Sequence, residues 1–108
     1  MKKWLYDILL SIEEIEGYVL SCKGDYEMFS QSLITCRAME RSFEIIGEAM
    51  NRIYKVHPDL ELTEMSGYIG MRNIISHGYE VVSYRNLWKT AVEDLPVLKQ
   101  EVEQLLNS

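Results

Sequence analysis

Apolar side chains recur at alternating intervals of three and four residues through most of this chain, which restricts it to helices packed against one another. Leu5, Ile8, Ile12, Ile15, Val19 and Cys22 make one such seam. Gly24 and Asp25 interrupt it. Phe29, Cys36, Phe43 and Met50 then recur every seven residues, flanked at the same interval by Met39, Ile46 and Ile53. That pattern predicts one long helix from about Tyr26 to Tyr54. Gly47 sits inside it, at a cost of about 1 kcal/mol relative to Ala, so a packing reason is expected: it should let another helix approach closely.

The stretch KVHPDLEL, residues 55 to 62, reads as a connector, because Pro58 pushes His57 out of helical geometry and leaves it a solvated surface residue. Thr63 is placed to cap a third helix running to about His77, with Glu64 favourable in its first turn and Gly78 as its stop. Ser83 is a plausible cap for the last segment. There Trp88, Ala91, Leu95, Leu98, Val102 and Leu105 keep the same rhythm to the end. Pro96 has no amide hydrogen, so this segment is either kinked or restarted near Asp94. Four to five helices, no strands and short connections give an all-α, antiparallel helical bundle, and 108 residues make it one domain over 1–108.

Composition removes several classes of function. Cys22 and Cys36 are too few for a disulfide framework and lie in no zinc-type cluster, so they read as buried thiols; no metal site or cofactor is expected. The opening MKKWLYDILLSIEEIEG turns acidic after a short apolar stretch and lacks a cleavage signature, and no segment approaches the roughly 18 apolar residues of a membrane span. A cytoplasmic protein without membrane partners is expected. The net charge of −6 disfavours nucleic-acid binding by bulk electrostatics. The acid is concentrated at the two ends, however. Arg37, Arg41, Arg52, Lys55, Arg72, Arg85 and Lys89 leave the middle comparatively basic, and an RNA partner would bind there.

Two places in the middle carry chemistry. Glu40 falls in the helical seam with Leu33 and Tyr54, and a buried carboxylate must be paired or face a cleft unless it reaches solvent at the seam border. The stretch GMRNIISHGYE, residues 70 to 80, sets Arg72, Asn73, His77 and Tyr79 among apolar residues. At about 100° per residue, Asn73 and His77 share a face while Arg72 and His77 diverge by roughly 140°. Met71, Ile74 and Ile75 are expected to form the buried stripe. Arg72 and His77 could therefore meet on one small group only if the helix end is distorted, or if a second subunit completes the site.

Should they meet, the pair suffices for RNA cleavage without a metal. The RNA brings its own nucleophile in the 2′-hydroxyl, histidines exchange protons near neutral pH, and a guanidinium can grip a phosphate and stabilise the charge of a phosphorane. Asn73 could fix the tautomer of His77 or touch the phosphate. A histidine in the last turn of a helix also interacts well with the helix dipole, so spacing alone leaves a structural role open. Tyr79, taken alone, reads as a packing aromatic.

Three stretches resemble one family: AMERSFEIIGEAMNRI (38–53), with Glu40, Arg41 and the run Ile46, Gly47, Glu48, Ala49; GMRNIISHGYEVV (70–82), with the signature R-x-x-x-x-H-x-Y; and LWKTAVEDLPVLKQEVEQLL (87–106). Together they are similar to the HepT-like toxins of the HEPN superfamily, found in prokaryotic toxin–antitoxin modules. The resemblance implies a metal-independent endoribonuclease, the toxin of a type II module, with Arg72 and His77 as its motif pair. It also implies a homodimer whose two motifs meet across a cleft. Tyr79 would be the residue to which a cognate nucleotidyltransferase antitoxin of the MNT type transfers AMP, adding negative charge and bulk beside the phosphate site. Glu40 and Asn73 would support the pair, while Arg41 and Glu48 are expected in structural ion pairs. The alternative of another class is a non-catalytic helical partner that binds and regulates a nucleotidyltransferase, which the acidic surface would suit.

Overall fold

The computed structural model describes residues 1–78 and 82–108. Among the described residues the chain is helical and contains no strand, as the periodicity predicts. Helix α1 spans Lys2–Ser21 and buries Leu5, Ile8, Ile12 and Ile15 completely. Its face packs on the next long helix and on the last one.

The long helix expected from Tyr26 to Tyr54 is two helices. A single turn, α2 (Tyr26–Ser30), is capped by Asp25, whose carboxylate accepts from the Glu27 N–H at 3.0 Å. Ser32 then starts α3 (Leu33–Val56): its hydroxyl accepts from the Thr35 N–H at 3.3 Å and pairs with the Thr35 hydroxyl at 2.8 Å. A serine that satisfies an open helix end is a stronger local signal than the heptad running through it. The apolar phase survives the break, because Phe29 and Cys36 are both buried and the Cys36 thiol donates to the Phe29 carbonyl at 3.3 Å.

Helix α4 covers Met65–His77. Thr63 does not cap it. Its N–H and hydroxyl instead donate to the Glu101 carboxylate, at 3.0 and 2.6 Å, which ties the connector to the C-terminal helix. Glu64 precedes α4 with a left-handed backbone (φ 62°). The other end follows expectation: Gly78 takes φ 66° and donates its N–H to the Ile74 carbonyl at 3.2 Å.

Ser83 caps α5 (Tyr84–Lys89), accepting from the Asn86 N–H at 3.2 Å. A π-helical stretch, Thr90–Asp94, leads into α6 (Leu95–Leu106). Pro96 lies in the first turn of α6, directly after the π-helical stretch, so its missing donor falls where the hydrogen-bond register changes and the backbone stays helical from α5 into α6. Phe29 and Trp88, with ring centroids 5.0 Å apart, lock α2 to α5. Lys99 and Glu16 join α6 to α1 at 3.0 Å. Among the described residues, no helix is long and apolar enough to cross a membrane.

Candidate active site at the crossing of α3 and α4

Helices α3 and α4 run antiparallel, since Glu44 faces Ser76 while Gly47, three residues later, faces Arg72. The contact is close. A Cβ built on Gly47 would collide with the Cβ of Arg72 and would lie 2.6 Å from the Tyr68 carbonyl oxygen. Only a hydrogen atom fits there, which is the packing reason expected for this glycine. The arginine stem is thereby laid on α3.

Arg72 is half-buried as a result, with its guanidinium held at one edge: Nη1 donates to Asn73 Oδ1 at 3.0 Å. Its Nε is buried and has no acceptor among the described residues. A guanidinium fixed in this manner carries both positive charge and unused donor capacity, the combination that a phosphate oxygen satisfies. Asn73 is exposed and keeps its amide NH2 for another partner, although the arginine rather than the histidine has taken its carbonyl.

Glu44 organises the other side of the crossing and escaped the sequence reading. One carboxylate oxygen accepts from the Ser76 hydroxyl at 2.8 Å, and the other accepts from Arg41 at 3.0 Å. The Ser76 hydrogen bond, joined by the charges of Arg41 and Arg72, holds its carboxyl below the ordinary range against the opposing effect of burial. One signal could have found it: Glu44 lies about one turn before Gly47, the position that invites a second helix, so it must face that helix too. Arg41 and Glu48 form the structural ion pairs expected of them, the latter with Arg52 at 3.2 Å.

Glu40 is half-buried, and its proximity raises the pKa of the Tyr84 hydroxyl, chiefly through side-chain hydrogen bonding to the carboxylate and then through burial. Its seam neighbours are not core residues, with Leu33 60% and Tyr54 53% exposed.

His77 is the last residue of α4 and is exposed. The helix stays α-helical through it, so among the described residues there is no distortion that would swing it toward Arg72. The stripe on the inner side of α4 also differs from expectation. Tyr68 is its buried residue, with Met71 and Ile75 partly buried, whereas Ile74 is 40% exposed because the Gly47 contact rotates the Arg72 side of the helix inward. Tyr79 lies outside the described residues. Among those described, no group of three or more His, Cys, Asp or Glu side chains is placed to hold a metal ion.

The sequence profile of the family described as Ribonuclease HepT-like matches residues 8–105 of this chain. The chain is also similar to a candidate RNase of Methanocaldococcus jannaschii, with 36% identity covering 95% of this chain and 94% of that one. A protein named probable ribonuclease HepT, of Thermococcus cleftensis, is 38% identical over 96% of this chain and 94% of its own. A candidate RNase of Caldanaerobacter subterraneus is 33% identical over 89% and 88%. No solved structure matches the chain significantly.

Proposed function

Since the chain belongs to the HepT-like ribonuclease family, we propose that it is a metal-independent endoribonuclease in which Arg72 and His77 act on one RNA phosphate. The observation that carries this reading is the state of Arg72, whose stem is fixed on α3 by Gly47 and whose Nη1 is held by Asn73, so that a positioned guanidinium presents its outer edge to a scissile phosphate. The 2′-oxygen of the preceding ribose attacks phosphorus as His77 moves the proton, the bond to the 5′-oxygen breaks, and the products carry a 2′,3′-cyclic phosphate and a 5′-hydroxyl.

Because α4 is regular through His77, the two side chains belong to different sides of one helix, and convergence is assigned to a second copy of the chain. A homodimer with the motifs facing each other across a cleft would place the arginine of one subunit near the histidine of its partner. Glu40 and Asn73 support the pair, Asn73 by holding the guanidinium. In this reading the protein is the toxin of a type II toxin–antitoxin module in the cytoplasm. An MNT-type nucleotidyltransferase antitoxin silences it by moving AMP onto Tyr79, next to the phosphate site. Incubating the protein with total RNA in EDTA tests the enzymatic core: cleavage by wild type that disappears in His77→Ala supports it, and no cleavage, or cleavage unchanged by the substitution, refutes it.

A further inference from the structure

Beside Arg72 lies a groove of about 760 Å³, within the range of roughly 300–1,000 Å³ of pockets that enclose small molecules. Asn51 and Tyr54 line it from α3, Ile69 and Asn73 from α4, and Glu61 and Glu64 from the connector between them. Tyr54 is 53% exposed although it belongs to a well-packed helix. Asn73 joins the groove to the arginine directly, since the same side chain lines one and accepts from the other at 3.0 Å.

These are the groups that read a splayed nucleobase. Single-stranded RNA is recognised by stacking its bases on aromatic rings and by hydrogen bonds to their edges, and amide side chains supply both donor and acceptor. Two carboxylates in the groove would repel a phosphate, so the backbone stays at Arg72 and only the uncharged base can turn in. Carboxylates also accept from amino and ring N–H groups. Uracil sets a carbonyl on each side of its single N–H, which a carboxylate repels, whereas guanine offers two donors side by side.

Resting on the ribonuclease reading above, we infer that this groove receives the nucleobase next to the scissile phosphate, stacked on Tyr54 and read by Asn51 and the Glu61 carboxylate. Bases with an exocyclic amine are thereby favoured over uracil. Tyr54, Asn51 and Glu61 set specificity and are not catalytic residues.

Two measurements on the intact protein test this. In an NMR titration, guanosine 3′-monophosphate should shift the side-chain amide signals of Asn51 and Asn73 and bind at least about fivefold more tightly than uridine 3′-monophosphate. Tyr54→Ala should weaken guanosine binding by about fivefold or more, the loss of one stacked base, while Tyr54→Phe retains it and controls for folding. In sequencing of cut sites, one position beside the cleaved bond should be depleted in uracil, and both Tyr54→Ala and Glu61→Gln should flatten that preference. Equal binding of the two nucleotides, unmoved Asn51 signals, or an unchanged cut-site spectrum in the variants would overturn the inference. If wild type cuts no RNA, the ribonuclease reading fails while the titration still reports on the groove.

Discussion

Gly47 and Arg72 touch backbone to stem: the space that a Cβ at residue 47 would need is already occupied by the Cβ of Arg72. The two helices can cross at this distance only because one side chain is missing, and the crossing decides where the arginine emerges. A residue of α3 with no chemistry of its own thus positions the residue expected to bind phosphate.

Gly47→Ala should consequently damage both stability and activity. Alanine favours helix by about 1 kcal/mol, but the added methyl meets a backbone carbonyl as well as a side chain, and overpacking of this kind costs about 1–3 kcal/mol. Thermal unfolding should show a net loss, and RNA cleavage should fall with it as Arg72 is displaced. An unchanged melting temperature would mean that α4 slides away freely.

Replacing Arg72 by lysine keeps the charge but removes the fork that Asn73 holds. Cleavage should drop by about 100- to 1,000-fold, the magnitude typical of losing one donor aimed at a developing anion. Asn73→Ala, which frees the guanidinium without removing it, should have a smaller effect of the same sign. The rates of both variants at saturating RNA measure this.

The lowered pKa of Glu44 has a direction in pH. A carboxyl whose folded pKa lies below its unfolded value stabilises the fold fully above the ordinary carboxylate value of about 4.3, and the contribution is lost as pH falls through the folded pKa. Glu44→Gln should therefore melt below wild type at pH 7, by a small margin because the group is only partly buried and its pair with Arg41 is exposed, and the two proteins should converge on acidification as wild type loses that contribution. Melting curves between pH 7 and pH 3 compare the two directly.

The hydroxyl of Tyr68, a residue only 3% exposed, has no hydrogen-bond partner among the described residues. Burying such a group costs about 1–3 kcal/mol, so Tyr68→Phe should be neutral or stabilising by up to about 1 kcal/mol. Denaturant unfolding would show it as a raised midpoint with an unchanged slope.

Much of this arrangement was legible in the residues themselves. The three-four rhythm gave the bundle and most of the core, and the mid-helix glycine pointed to a close crossing. What failed to show was of one physical kind, competition between local and distant partners. The heptad runs through Ser32 without a break, yet its hydroxyl closes a helix end there, and Thr63 has the right identity for a cap but is claimed by Glu101 from 38 residues away. Spacing put Asn73 on the face of His77, whereas its carbonyl accepts from its sequence neighbour Arg72, whose stem lies on α3 against Gly47. Glu44 was hidden for a related reason: its partner Ser76 lies on another helix.

The regular helix between Arg72 and His77 makes the composite site the central demand of this account. Co-expressing Arg72→Ala and His77→Ala chains, each inactive alone, tests it most directly. If the arginine of one subunit serves the histidine of its partner, a mixed dimer holds one intact site, and RNA cleavage should return to about a quarter of wild type when chains pair at random. No activity in the verified mixed dimer would contradict the account.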